Sequence, residues 1–417
     1  MSEQRTIIII GGGAAGMMAA LFAARAGARV LLLERNEKLG KKVYITGKGR
    51  CNVTNAVDMD QFMRRIFRNP RFMYAAFAAL DNRALMALME ELGVPLKVER
   101  GDRVFPVSDK SSDIIRALQR ELTRLGVDIR LNTGVKSLLI SEERCRGVET
   151  EDGQQLDADA VIIATGGLSY PSTGSTGDGY RFAEAVGHSI NKPLPALTAI
   201  ETREHWPECL MGLTLKNVAL TAWVQNGKKE KKLYSEQGEL LFTHFGISGP
   251  LVLTLSSLLP ETLEGVRLAI DLKPALDAQA LDARLLRDFR AMSRKQLITV
   301  LDGLEPHSLA EQLSSLAGLN PMMPVNSVTS QQRATLLNLL KALPLTPRAL
   351  RGFGEAIITR GGVDVKDINP STMASKRMPG LYFAGEVRDV DAQTGGFNLQ
   401  IAWSTGALAG TSAANAR

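Results

Sequence analysis

The chain begins with an unbroken apolar run, Ile7 to Ile10, which passes through glycines into an alanine-rich stretch that ends at Gly27. A β-branched run bounded by glycine predicts a buried strand, and the alanine-rich stretch predicts a helix. A second apolar run, Arg29 to Leu33, follows at once. Strand, helix and strand in this order predict a right-handed βαβ unit and hence a parallel sheet.

Further elements of the same kind occur along the chain. The pattern predicts an amphipathic helix over Ser111 to Leu125, a hairpin over 135–150, and buried strands over Val127 to Leu131, Ala160 to Ala164 and Leu381 to Ala384. A closing helix is predicted over Asn398 to Ala409. The chain therefore leaves its first domain and returns to it near the end.

The middle of the chain has a different pattern. Alternating apolar residues over 218–224 predict an antiparallel strand. Beyond it, leucines with helical spacing, among them Leu281, Leu285, Leu336, Leu340 and Leu343, predict helices. We expect an α/β protein with a Rossmann-like domain on a parallel central sheet (1–190 and 354–417), a β-rich insert (191–274) and a small helical subdomain (275–353).

Composition restricts the class of protein. The chain has 417 residues, of which 45% are hydrophobic and 23% charged, as in globular proteins. No apolar run approaches the ~20 residues of a membrane span, and no secretory signal is evident. Three separated cysteines (Cys51, Cys145 and Cys209) fit a reducing compartment, so we expect a cytoplasmic protein. Four scattered histidines offer little for a metal site, and we expect none.

The charge of the chain permits an anionic ligand without requiring one. Fifty basic and 44 acidic residues give a net charge of +6. Two basic runs, one of arginines (64, 65, 68 and 71) and one of lysines (228, 229, 231 and 232), lack the interleaved aromatic residues of a single-strand binder. We interpret both as solvated faces and expect a small-molecule substrate, with neither nucleic acid nor membrane as a partner.

The turn after the first strand has the spacing of a dinucleotide site. Gly11 permits a tight turn, Gly13 lets a pyrophosphate approach the backbone, and Gly16 lets the helix pack close to the strand. The helix N-terminus, beginning at Ala14 and Ala15, favours phosphate. Glu34, at the end of the second strand, is placed to accept hydrogen bonds from ribose hydroxyls. NAD and FAD both fit this unit.

Motifs elsewhere favour FAD. The sequence resembles the glutathione-reductase-like FAD superfamily through Gly11 to Gly16, Ala164 to Gly166, and Phe383 to Glu386. More narrowly, it resembles a bacterial FAD-binding family that includes dehydro-bile-acid reductases and aminoacetone oxidases. That likeness rests on LGKKVYITGKGRCNVTN (39–55), FTHFGISGP (242–250) and GGFNLQ (395–400), which span nearly the full length.

The resemblance implies roles for several residues. Glu386 would organise the ribityl and phosphate region, Gly395 to Gln400 would cover the flavin pyrimidine, and Val135 would contact adenine. The helix from Asn398 would direct its N-terminus at the ring carbonyl that becomes anionic on reduction, which favours reduced flavin.

The segment after the first βαβ unit carries concentrated positive charge and two flexible glycines. We interpret Lys38 and Lys41 as solvated, and residues 46–54 as cofactor or domain-junction contacts. Cys51 has no partner cysteine nearby, so packing or a flavin contact is favoured over catalysis. Together, the predicted cofactor-binding residues are Gly11, Gly13, Ala14, Ala15, Gly16, Glu34, Arg35, Lys42, Thr46, Gly47, Arg50, Cys51, Asn52, Val135, Ala164, Thr165, Gly166, Gly385, Glu386, Gly395, Gly396, Phe397, Asn398 and Leu399.

Two residues are candidates for proton transfer. His244 lies in the β-rich insert that we expect to cover the flavin, and Tyr170 follows the turn after Gly166. Each also has a structural interpretation, as a junction histidine and as a packing tyrosine. A second strand-GxGxxG-helix unit is absent from the sequence, so NADH or NADPH would reach the flavin through the substrate cleft or an unmarked surface.

The leading hypothesis is an FAD-dependent reductase that transfers hydride from NADH or NADPH through the flavin to an activated C=C bond of an apolar small molecule. A substrate like a dehydro-bile acid is implied by the resemblance alone. The alternatives are an amine oxidase that releases peroxide, an RNA-modifying flavoprotein, and a flavin-binding interaction protein without catalysis.

Overall fold

The chain divides into two compact units. The computed structural model describes residues 4–227 and 229–416, so Lys228 of the lysine run lies outside the described residues. The first unit comprises residues 1–196 and 353–417, and the second comprises residues 197–352. Each unit has its own hydrophobic core.

The first unit is built on a five-stranded parallel sheet. Its strands, in spatial order, are β20 (Leu381–Phe383), β10 (Ala160–Ile163), β1 (Thr6–Ile10), β2 (Arg29–Leu33) and β6 (Asp128–Arg130). Every neighbouring pair is parallel. Apart from the half-buried edge strand β6, the strands are buried on both faces, which explains their continuous apolar runs. The predicted α/β fold with a parallel central sheet is confirmed.

Helices cover this sheet and surround it. They are α1 (Ala14–Arg25), α2 (Lys41–Ile45), α3 (Met59–Arg64), α4 (Tyr74–Ala79), α5 (Asn82–Glu91), α6 (Ser111–Arg124), α7 (Asp178–Ala185) and α13 (Phe397–Asn415). Helices α1 and α13 pack closely because α13 carries two glycines four residues apart. A Cβ at Gly406 would lie 2.3 Å from the Ala15 carbonyl oxygen, and one at Gly410 would lie 2.2 Å from that of Ala19.

Three small antiparallel sheets complete the first unit. One contains β3 (Thr54–Asn55), β5 (Arg103–Pro106) and β4 (Leu96–Glu99), in that order. The predicted hairpin is present as β7 (Val135–Ser141) and β8 (Arg144–Thr150), extended by β9 (Gln155–Asp157). The third sheet pairs β11 (Ile190–Ala196) with β19 (Ile358–Val363).

The second unit combines an antiparallel sheet with helices. Its strands, in spatial order, are β17 (Leu343–Leu345), β16 (Val266–Asp271), β13 (Thr214–Asn226), β14 (Lys229–Thr243), β15 (Gly246–Ser248), β12 (Ile200–Thr202) and β18 (Pro347–Leu350). Its helices are α8 (Pro250–Leu258), α9 (Ala278–Ala291), α10 (Leu297–Leu301), α11 (His307–Leu316) and α12 (Ser330–Lys341). Sheet and helices share one core, to which Leu220, Leu285 and Leu340 contribute.

One helical expectation is wrong. Leu343 continues the leucine spacing of α12, but it begins strand β17 instead. Pro344 follows it, and a residue that precedes proline is driven from helical to extended backbone. Across the described residues, none of the helices combines the length and the apolar character that crossing a membrane requires.

Candidate functional site

An open cavity lies at the carboxyl ends of the parallel strands of the first unit. It has a volume of about 1330 Å³, counted out to the solvent at its mouth. Of the predicted cofactor residues, it is lined by Gly11, Gly13, Ala14, Ala15, Glu34, Arg35, Lys42, Thr46, Val135, Ala164, Thr165, Gly166, Gly385, Glu386, Asn398 and Leu399. This edge of an open parallel sheet is where ligands bind in such folds.

The glycine turn at one wall of the cavity is built for close approach. Gly11 has φ +105°, and a Cβ there would lie 2.6 Å from the carbonyl oxygen of Ala164. A Cβ on Gly16 would lie 1.8 Å from the Gly11 carbonyl oxygen, so α1 packs directly on the turn. At Gly13, the N-cap of α1, a Cβ would meet no atom within 4 Å. The amides at the N-terminus of α1 therefore face space that a pyrophosphate can fill.

The buried carboxylate of Glu34 accepts hydrogen bonds from two segments, the glycine turn and the residues that follow β2. One carboxylate oxygen accepts a hydrogen bond from the Gly12 amide at 2.7 Å. The other accepts from the backbone amide and the side-chain amide of Asn36, at 2.8 and 2.6 Å. Three of the roughly four acceptor positions of the carboxylate are thus used, and about one is left for a ligand hydroxyl.

A lysine and a glutamate meet at another part of the cavity wall. The ammonium group of Lys42 lies 2.6 Å from Glu386 Oε2 and 2.6 Å from the hydroxyl of Ser169. Glu386 Oε1 accepts from the Ser169 hydroxyl at 2.9 Å and from the Thr359 amide at 2.8 Å. This network fixes both charged side chains on the cavity wall.

Helix α13 begins at the cavity. Its N-cap is Gly396, whose φ is +100° and where a Cβ would lie 2.3 Å from the carbonyl oxygen of Thr54. The side chain of Asn398 exchanges hydrogen bonds with the backbone of Ala392, at 2.9 and 2.8 Å. Since Asn398 and Leu399 line the cavity, the positive end of the helix dipole lies at its wall.

The basic segment over 46–52 begins at Thr46, which lines the cavity. Gly47, Lys48, Gly49 and Cys51 all have positive φ, so this short turn is tightly folded. Arg50 does not line the cavity. It pairs at the surface with Glu99 and with Asp109, and its Cζ lies 4.1 Å from the centre of the Phe105 ring.

The remaining predicted residues lie outside the cavity lining. These are Gly16, Gly47, Arg50, Cys51, Asn52, Gly395, Gly396 and Phe397. Cys51 is fully buried, and burial raises the pKa of its thiol to about 12, so the thiol is protonated at neutral pH. Tyr170 has φ +52° and its amide donates to the Phe353 carbonyl at 2.9 Å. His244 belongs to the second unit, where its ring packs edge-on against Phe245.

Several lining residues were not predicted from the sequence. They are Ile10, Leu33, Lys41, Val43, Thr133, Gly134, Thr173, Gly174, Ser175, Asp178, Phe182, Ile357, Ile358, Thr359, Val390, Ile401 and Ala402. Lys41, interpreted as solvated, is among them. Thr133 and Gly134 follow β6. Glu34 was predicted because it lies at the end of a parallel strand, and the same reasoning applies to these two residues. Thr359 lies on an antiparallel strand that carries no such signal.

A dinucleotide fits the cavity on two structural grounds. The open space at Gly13 leaves room beside the α1 amides, and the buried Thr165 hydroxyl on the cavity wall has no hydrogen-bond partner among the described residues. Buried hydroxyls are nearly always hydrogen-bonded, and a bound ligand would supply the partner that this one lacks.

Comparison with known proteins identifies the family. The profile described as HI0933-like protein Rossmann domain matches residues 5–412. The chain belongs to this HI0933-like family. It is 32% identical, over 95% of this chain and 96% of the other, to a 3-dehydro-bile acid delta(4,6)-reductase of Clostridium scindens. It is 33% identical, over 93% of each chain, to a ribosomal RNA dihydrouridine synthase of Haemophilus influenzae.

A solved structure agrees on the fold of this HI0933-like protein. The 3-ketosteroid-delta4-(5alpha)-dehydrogenase of Rhodococcus jostii RHA1, in complex with 4-androstene-3,17-dione, matches with a TM-score of 0.54 at 17% identity. The match covers 100% of this chain and 98% of that chain. The predicted family is thereby confirmed, and the protein is an FAD-dependent oxidoreductase.

Proposed function

We propose that this protein reduces a C=C bond conjugated to a carbonyl group, with NADH or NADPH as the hydride donor. The observation that carries the proposal is the reaction shared by two relatives with different substrates. A 3-dehydro-bile acid delta(4,6)-reductase acts on double bonds conjugated to a 3-oxo group, and a dihydrouridine synthase acts on the uracil ring bond conjugated to a carbonyl. Both reactions add two hydrogens to an electron-poor C=C bond.

When bound, FAD would supply the two-electron redox chemistry that links the hydride donor to the acceptor. The chain's own residues would bind that group and stabilise negative charge on its ring. Glu34 and the α1 N-terminus would bind the adenosine and pyrophosphate, and Lys42 with Glu386 would hold the ribityl and phosphate region. The N-terminus of α13 would stabilise negative charge on the ring, typically by ~0.3–1 kcal/mol and by more where water is excluded.

The α-carbon of the acceptor also needs a proton. His244 and Tyr170 remain our candidates for that step, since imidazole and phenol side chains are general acids in other enzymes. A cytoplasmic location belongs to the same proposal, because the buried thiols of Cys51 and Cys145 fit a reducing compartment.

The test uses the purified protein with its flavin. We expect a yellow protein whose flavin absorbance bleaches anaerobically with NADH or NADPH and recovers when a 3-oxo-4,6-diene steroid or a uridine-containing ribosomal RNA transcript is added. Mass spectrometry should find two added hydrogens in the acceptor. Bleaching by aminoacetone with release of peroxide, and no response to either nicotinamide, would refute the reductase and support the amine-oxidase alternative.

A further inference from the structure

Arg388 carries a positive charge inside the first unit, where solvent does not reach it. Of the lysines and arginines in the described part of the chain, Arg360 and Arg388 alone are buried, and Arg388 is fully enclosed. Burial lowers the pKa of its guanidinium from the ordinary 12.5 to about 9, so the group is still charged at neutral pH. A buried cation costs free energy unless an anion compensates it.

The contacts of the Arg388 guanidinium are with neutral groups. Its Nε donates to the Gly385 carbonyl at 3.1 Å, and Nη1 lies 3.6 Å from the thioether sulfur of Met373. Its Cζ lies 5.5 Å from the centre of the Phe72 ring, whose face attracts a cation weakly. Nη2 is buried and has no hydrogen-bond partner among the described residues. These contacts leave the positive charge without a counterion.

The carboxylates that follow Arg388 along the chain have other partners. Asp389 Oδ2 accepts from the side-chain amide of Asn191 at 2.9 Å, and Asp391 Oδ1 pairs with Arg68 at 2.7 Å. The backbone at Arg388 is extended (φ −98°, ψ 154°), so the side chains of Arg388 and Asp389 point to opposite sides. Within the described residues, no carboxylate forms an ion pair with Arg388.

One hydrogen bond connects Arg388 to the cavity wall. The carbonyl that accepts from its Nε belongs to Gly385, which lines the cavity. A Cβ on Gly385 would lie 2.8 Å from the Cβ of Ala15, in the first turn of α1. Gly385 therefore adjoins the helix N-terminus that faces space for a pyrophosphate, and the guanidinium lies on the order of 10 Å from an anion bound there.

We propose that Arg388 is a buried countercharge for the diphosphate of FAD and makes the site favour the dinucleotide over riboflavin. The diphosphate is anionic at neutral pH, whereas riboflavin is neutral. In the flavin-free protein the buried charge is uncompensated, and binding of the dinucleotide relieves that cost. Arg388 acts across the Gly385 peptide without contacting the cofactor, so it is a positioning residue. The inference holds whichever acceptor the protein reduces.

The experiment measures how tightly the flavin-free, full-length protein binds FAD and riboflavin, by quenching of flavin fluorescence. Arg388→Gln removes the charge and keeps a donor for the Gly385 carbonyl. Arg388→Met removes both and matches the apolar surroundings, whereas Arg388→Lys keeps the charge. Thermal denaturation of each flavin-free protein reports its folding.

The control is Arg144→Gln, at a half-buried arginine whose Nε also lacks a partner among the described residues. The Arg144 side chain donates to the carbonyl of Asp159 at 3.4 Å. Asp159 precedes β10, so this arginine lies at the amino ends of the parallel strands, away from the cavity.

We expect the two neutral variants to bind FAD about 15-fold more weakly than the wild type, because one pair of charges contributes that factor at ~10 Å and an effective dielectric constant of ~20. Their affinity for riboflavin should be unchanged. Arg388→Lys should bind FAD as the wild type does, and Arg144→Gln should bind both flavins normally. Flavin-free Arg388→Met should melt no lower than the flavin-free wild type, because it buries no uncompensated charge.

Unchanged FAD affinity in the neutral variants would overturn the proposal, as would an equal loss of affinity for FAD and riboflavin. A loss in Arg388→Lys as large as that in Arg388→Gln would show that the charge is irrelevant and would also overturn it. A matching loss in Arg144→Gln would assign the effect to net charge alone. If neither neutral variant folds, the guanidinium stabilises the core itself and the proposal is wrong.

Discussion

Replacing Glu34 with glutamine tests where the adenosine part of FAD binds. The carboxylate is buried and already accepts three hydrogen bonds, from Gly12 and Asn36. Because about one acceptor position remains, we expect it to hold one ribose hydroxyl. A hydrogen bond to a charged group contributes about 1.5–3 kcal/mol, so the Kd for FAD should rise about 10- to 150-fold in Glu34→Gln.

The assay titrates flavin-free protein with FAD and with riboflavin and follows quenching of flavin fluorescence. Riboflavin lacks the adenosine, so its affinity should be unchanged in Glu34→Gln. Glu90→Gln, at an exposed carboxylate of α5, serves as the control. Unchanged FAD affinity would place the adenosine elsewhere. An equal loss of affinity for riboflavin would mean that Glu34 stabilises the fold of the turn and does not contact the cofactor.

Three further outcomes are expected. In Gly410→Ala, the new methyl group would overlap the Ala19 carbonyl, so thermal denaturation should show destabilisation by about 1–3 kcal/mol. Thiol titration of the native protein should find rapid reaction at exposed Cys209 and none at Cys51, whose buried thiol has a raised pKa. Burial lowers the pKa of His188 below its ordinary 6.5, so the unfolded chain binds more protons, and the free energy of unfolding in urea should fall as pH drops below 6.5.

Each of these outcomes has a control. Gly354→Ala, at an exposed position where a Cβ meets no atom within 4 Å, should leave the melting temperature unchanged. Cys209→Ser should abolish the rapid thiol reaction, and rapid reaction that survives would contradict the burial of the other cysteines. His188→Gln should flatten the pH dependence between about 6.5 and 5, whereas His205→Gln, at an exposed ring, should not. If the free energy of unfolding depends on pH equally in both variants, His188 is not the source of that pH dependence.

The parts of the fold that could be predicted from the sequence are those with local signals. The strand–glycine–helix pattern around Gly11 predicts that β2 pairs in parallel with β1, because the crossover of a βαβ unit is right-handed. The strand-end positions Glu34, Ala164 and Gly385 follow from the same rule. Parallel strands buried on both faces also leave continuous apolar runs that are easily read.

What could not be predicted depends on contacts between residues that are distant in the sequence. Arg50 was expected at the cofactor, but it pairs with Glu99 and Asp109, whose approach requires β4 and β5 to form. Thr359 reaches the cavity wall on a strand whose partner, β11, precedes it by more than 160 residues. Neither contact has a signature in the local pattern of apolar and polar positions.

The close packing of α13 on α1 has a consequence for biosynthesis. The guanidinium of Arg5 donates to the carbonyl of Ala416 at 2.9 Å, so the two extremes of the described chain are neighbours. A nascent polypeptide leaving the ribosome would expose the dinucleotide turn early and gain the last cavity wall only when the final helix emerges. The second unit, residues 197–352, is synthesised entirely within that interval and has a core of its own. Because α13 supplies Asn398 and Leu399 to the cavity wall, we expect a chain that stops before residue 397 to bind flavin poorly.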